Sequence, residues 1–232
     1  MSKAKGTKRT KKMDILFMID ATGSMASTIQ AAHDKAEDLA FDLRTINRTA
    51  LFRFACICYR DPVDTKDDVH QLFDFSEEIE NLSEFLETVK ASGGADWPED
   101  FVGALNLSFD RLSWDKESKK AIIWIADAPA HGKRYCGKEN HQEEEPKLEP
   151  LIEKLAKEDY YFVGISLKSE SNTEGADRTF SEMEKIYKAN KGKPFRIESF
   201  SPDANDEVGD IAKTMAESTM GVVDEMLKVY EE

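Results

Sequence analysis

Apolar residues recur with two different periods along this chain, and the changes between them set out the elements in order. Ile15 to Ile19 is an unbroken apolar run, which marks a strand covered on both faces. From Met25 to Arg44, Ile29, Ala32, Ala36, Leu39, Ala40 and Leu43 recur at helical spacing. Leu51 to Tyr59 reads as a second strand. Arg60-Asp61-Pro62 ends it, because Pro62 has no N–H to donate and constrains Asp61. Val69 to Phe75 interleaves His70, Gln71 and Asp74 with apolar residues. The connection before it is too short for a crossover, so an antiparallel edge strand is expected. Ser76 then opens a helix that runs to Lys90, with Glu78 near its start.

Ser92 to Asp100 is a loop in which Gly93 and Gly94 permit left-handed backbone. Pro98 suits the first turn of a helix reaching Leu112, with Glu99 and Asp100 favouring its amino end. Ala121 to Ala126 is another apolar run, ending in Asp127 as the first ends in Asp20. A polar loop, Ala128 to Pro150, overlaps a helix from Leu148 to Lys157, and Tyr160 to Ser166 is the fifth strand. Gly175 to Asn190 reads as a helix and Pro194 to Ile197 as a short sixth strand. The terminal helix, Asp203 to Tyr230, spaces Ile211, Met215, Met220, Val223 and Met226 for packing. Strands alternating with helices give an α/β class: a mostly parallel six-stranded sheet, one antiparallel edge strand, and helices on both faces.

Length and charge narrow this further. The 232 residues suffice for one sizeable domain, 13–232, behind a basic, disordered tail, 1–12. That tail holds Lys3, Lys5, Lys8, Arg9, Lys11 and Lys12 without an acid; taking these 6 from 32 bases leaves 26 against 46 acids. The domain proper therefore stands near −20, against −14 for the whole chain, and repels nucleic acid and anionic membrane. No apolar segment approaches the ~20 residues of a membrane span. The amino terminus lacks the apolar stretch of a secretory signal. Cys56, Cys58 and Cys136 are odd in number, and the first two alternate within an apolar run. They read as reduced thiols of a cytoplasmic protein.

The chemistry gathers after the first strand, where Asp20, Thr22 and Ser24 fall on one strand-to-helix turn. In an open α/β sheet, ligands bind at the carboxyl ends of the strands. Hard oxygen donors around an open position suit Mg²⁺, or Mn²⁺ and Ca²⁺. Asp20-Ala21-Thr22-Gly23-Ser24 resembles the Asp-x-Ser/Thr-x-Ser motif of von Willebrand factor type A (VWA) domains. The resemblance implies a Rossmann-like fold with a metal-ion-dependent adhesion site. In such a site Asp20 and Asp127 hold the ion partly through water, and the Thr22 and Ser24 hydroxyls ligate it directly. Thr22 stands where Ser is usual. Where family members usually place a ligating Thr in the second loop, this chain has Ala95 and Asp96, and Asp96 is assigned that role. Tyr59-Arg60-Asp61, Gly93 to Asp100 and Ala126 to Gly132 look most like the intracellular VWA domains joined to α-type protein kinases. The 232 residues hold no kinase domain, so none of that activity carries over.

Plainer roles compete at each position. Asp20 alone would cap the following helix, and Asp61 would either form a turn before Pro62 or hydrogen-bond water around an ion. His131, Cys136 and His141 are suitable zinc donors without a paired Cys-x-x-Cys spacing. A phosphate-cradling Gly-x-x-x-x-Gly-Lys run and a Gly-x-Ser-x-Gly elbow are both absent from the sequence, and Thr22 replaces the second Asp of a dehalogenase-type phosphatase. The expected function is therefore a non-enzymatic, Mg²⁺-dependent protein-interaction module whose partner supplies a Glu or Asp from a basic surface. The alternative is a Mg²⁺- or Mn²⁺-dependent hydrolase or phosphotransferase using the same ion.

Overall fold

The computed structural model describes residues 11–62, 69–94 and 97–230. Its strands are β1 (Lys11–Asp20), β2 (Ala50–Tyr59), β3 (His70–Ser76), β4 (Lys119–Ala126), β5 (Tyr161–Leu167) and β6 (Phe195–Phe200). Its helices are α1 (Ala26–Ile46), α2 (Ile79–Thr88), α3 (Phe101–Asp110), α4 (Lys133–Cys136), α5 (Glu145–Lys157), α6 (Asp177–Ala189) and α7 (Glu207–Lys228). The sheet runs β3-β2-β1-β4-β5-β6, with β3 antiparallel at one edge and every other pairing parallel, as the apolar runs predict.

Both faces are covered. Ile15, Phe17 and Ile19 of β1 join Ile123 and Ile125 of β4 in a core under α1, α2 and α7. Leu16 and Met18 turn the other way, with Ile122 and Trp124, into a core under α3, α5 and α6. Period-two alternation with both faces apolar explains why these strands read as continuous runs. On the second face Trp124 stacks on Phe101 at 4.3 Å and donates its indole N–H to the Tyr59 hydroxyl at 2.9 Å. Gly164 is required in β5 because a Cβ there would stand 2.7 Å from the Phe180 ring of α6.

Some boundaries differ from the sequence expectation. Lys11 and Lys12, assigned to the tail 1–12, instead pair with Ala50 and Leu51 as the start of β1. The Lys12 charge is met there by Asp115 at 2.8 Å and Glu117 at 3.2 Å. Residues 1–10 lie outside the described residues. α3 starts at Phe101 rather than Pro98, and α5 starts at Glu145, with Pro146 in its first turn. β6 extends to Phe200, paired with Leu167. Asp14, in β1 just before the apolar run, is fully buried and held by a two-pronged Arg53 ion pair at 2.9 and 2.6 Å.

Candidate functional site

β1 and β4 are parallel neighbours in the middle of the sheet, with Ile19 beside Ile125. Asp20 and Asp127 therefore emerge at the same rim, each at or just past the last residue of its strand. Asp20 is fully buried. Its Oδ1 accepts the Thr22 N–H at 2.9 Å and the Thr22 hydroxyl at 2.7 Å, so it folds its own turn rather than capping α1. Its Oδ2 is buried without a hydrogen-bond partner among the described residues. Thr22 donates its hydroxyl proton to Asp20 and stands 3.5 Å from the Ser24 hydroxyl. Ser24 lies close enough to Asp127 to hold its carboxyl down.

Two carboxylates and two hydroxyls thus share one place, and the charges oppose each other. Burial first, and then the Asp127 charge, push the Asp20 carboxyl up to about 7; Thr22 and the Arg60 guanidinium pull it back only in part. Burial also raises Asp127, against the pull of Ser24. An unsatisfied, desolvated carboxylate facing a second one is costly unless a cation lies between them. The donor set of two hard carboxylates and two hydroxyls fits Mg²⁺, Mn²⁺ or Ca²⁺. Adjacent oxygens of an octahedral Mg²⁺ stand about 2.9 Å apart, so Thr22 and Ser24 need only a small side-chain rotation to fit it.

The glycine loop meets this turn from the side. Ser92 donates to the Ala21 carbonyl at 3.1 Å, and Gly23 donates to the Gly93 carbonyl at 3.4 Å. A Cβ on Gly94, whose φ is +91°, would sit 3.6 Å from the Thr22 Cβ. Asp96 lies outside the described residues. From the far side, the Asn172 side chain donates to the Asp127 carbonyl at 2.5 Å.

A buried polar layer supports the rim, and most of it was not legible as such in the sequence. The residue-matching model for the von Willebrand factor A domain covers positions 14–161. The chain belongs to the von Willebrand factor A domain family. Members of this family often mediate protein interactions. The VWA chain is 31% identical over 170 residues to the α-protein kinase vwkA of Dictyostelium discoideum, covering 71% of this chain and 27% of that protein. It thus spans little more than a quarter of the relative's length. Among solved structures it is similar to BatB of Bacteroides thetaiotaomicron, with a TM-score of 0.52 and 13% identity, covering 93% of this chain and 99% of that one. It is also similar to the pilus adhesin SpaC of Lactobacillus rhamnosus GG, with a TM-score of 0.58 and 10% identity, covering 90% and 30%. At such identities these two show the fold alone.

Within the VWA fold, the supporting layer corrects three sequence assignments. Asp61 is buried, with Oδ2 2.7 Å from His131 Nε2, so it does more than form a turn before Pro62. Glu99 does not serve a helix terminus; it is buried and its Oε2 accepts the Asp61 N–H at 3.0 Å. Asp100 does cap α3, accepting the Gly103 N–H at 2.6 Å, and it also meets His70 Nε2 at 3.1 Å. The zinc reading of His131, Cys136 and His141 fails on direction. The two imidazoles lie 4.5 Å apart, but the Cys136 thiol donates to the Lys138 carbonyl at 3.1 Å. No group of three or more His, Cys, Asp or Glu able to hold a metal occurs among the described residues. The rim differs from such a group in having two carboxylates and two hydroxyls.

Proposed function

We propose that this VWA domain captures an acidic side chain of a protein partner through a divalent cation, Mg²⁺ in the first instance, at the Asp20–Asp127 rim. The observation that carries the reading is the buried, unpartnered Oδ2 of Asp20 beside Asp127. Thr22 and Ser24 would hold the ion directly, with Asp20 and Asp127 holding it partly through water. Asp96 keeps the additional ligand role assigned from the sequence. When bound, the ion supplies a Lewis-acidic position for a partner's Glu or Asp carboxylate. Thr22 supports direct ligation because its proton is committed to Asp20. Ser24 is exposed at the rim, where a partner can reach.

The acidic surface selects the rest of the partner. A net charge of −14 repels an acidic protein over a Debye length of ~8 Å, whereas a basic surface presenting one carboxylate is drawn in. The setting is intracellular on this reading, in keeping with three buried, free cysteines. No helix among the described residues is long and apolar enough to cross a membrane.

Thermal melting of chelated protein titrated with Mg²⁺ tests the reading. Wild type should gain stability as the ion is added, about 2.7 kcal/mol at a hundredfold excess over Kd. Asp20→Ala should gain none. Equal shifts in the two proteins would remove the basis of the reading.

A further inference from the structure

We infer that Arg60 is the positioning residue that fixes the Asp20 turn against the glycine loop, and thereby sets the affinity of the rim for its cation. The inference rests on the reading given under Proposed function. Arg60 follows the last residue of β2 and is only 2% exposed. Its Nε donates to the Ala21 carbonyl at 3.0 Å, and its Nη2 to the Lys90 carbonyl at 2.5 Å. Both Nη atoms reach Gln71 Oε1 at 3.3 Å, and its own backbone N–H donates to the Val69 carbonyl at 2.9 Å.

One guanidinium therefore ties three segments that are far apart in the chain. Ala21 lies between Asp20 and Thr22, and its carbonyl also takes the Ser92 N–H. Lys90 leads directly into Ser92, Gly93 and Gly94, and Gly93 closes back on Gly23. Gln71 belongs to the edge strand β3. Only a planar fork with several N–H groups satisfies acceptors in these directions at once; an ammonium group keeps the charge but not the geometry. The charge itself works against a cation site, because the guanidinium is close enough to act on Asp20. Position and charge thus predict opposite effects when Arg60 is replaced.

Isothermal titration of Mn²⁺ alone into wild type, Arg60→Met and Arg60→Lys separates them. Positioning predicts weaker Mn²⁺ binding in both variants, by ~10–100-fold, the range for residues that orient metal ligands from behind. A purely electrostatic or structural prop predicts tighter binding for Arg60→Met and unchanged binding for Arg60→Lys, and either result overturns the inference. Amide exchange supplies a readout that needs no ion. The Gly23 and Ser92 amides should exchange faster in both variants while Ile123, in the middle of β4, keeps its protection. A uniform acceleration across the sheet would reduce Arg60 to a stability residue and overturn the inference. If wild type binds no Mn²⁺, the metal reading fails by itself, and the local exchange pattern still decides whether Arg60 positions the two loops. Should both Arg60 variants fail to fold, Gln71→Ala, which removes one orienting acceptor, must show the same local acceleration or the inference falls.

Discussion

At Asp20 the fold holds a buried carboxyl beside a second one, at a cost in stability. A folded carboxyl raised from 3.8 to about 7 binds more protons than the unfolded chain between those values. The group therefore subtracts stability as pH rises from 4 towards 7, and the loss is complete above the folded value. In chelator at pH 7.5, Asp20→Asn should be more stable than wild type by about 1–3 kcal/mol. At pH 4.5 the advantage should nearly vanish, because wild type is protonated there too. Urea denaturation at the two pH values measures it; an Asp20→Asn protein less stable than wild type at pH 7.5 contradicts the electrostatics described for the rim. Asp61 has the opposite character, since it answers both His131 and its own backbone's tie to Glu99. Asp61→Ala should cost about 2–4 kcal/mol, by leaving His131 buried without its carboxylate. A loss below 0.5 kcal/mol in the same assay would make that pair decorative. Asp20, Thr22, Ser24 and Asp127 were legible because each sits at the end of an apolar run or one turn after it. Arg60, Glu99 and the Asp61–His131 pair were not, since Asp61 N meets Glu99 across 38 positions and no local period records that contact.

Among the elements, the strands carried the clearest signal and the loops the weakest. β1, β2, β4 and β5 were legible because burial on both faces makes a short apolar run, too short for a buried helix and rich in β-branched and aromatic residues. The start of α3 was misread by three residues: Pro98 and Glu99 are spent on the buried layer, where Glu99 donates its N–H to the Pro129 carbonyl at 2.9 Å. Local helix chemistry was sound there, but a tertiary contact overrode it. α4 was missed because four residues are too few for a period. β5 and α6 approach closely at Gly164, with Phe180 in the space a side chain would need. Gly164→Ala should cost about 1–3 kcal/mol by forcing β5 and α6 apart. Chemical denaturation checks this, and an unchanged midpoint would mean that α6 shifts freely on the sheet.

For the whole molecule, charge and topology point to one rim. The doubly covered sheet delivers Asp20 and Asp127 side by side, and the chain's net charge of −14 repels acidic molecules at long range. Association with a basic partner bearing one exposed carboxylate should slow at least several-fold between 50 and 300 mM salt, while the dissociation rate changes little. Stopped-flow kinetics measures both rates, and a salt-independent on-rate would remove charge from the recognition. The most direct measurement of all is an anomalous difference map from a crystal grown with Mn²⁺. The result expected is a single peak within bonding distance of the Thr22 and Ser24 hydroxyls and between the Asp20 and Asp127 carboxylates. A map with no peak there, at an Mn²⁺ concentration that saturates binding in solution, would contradict it.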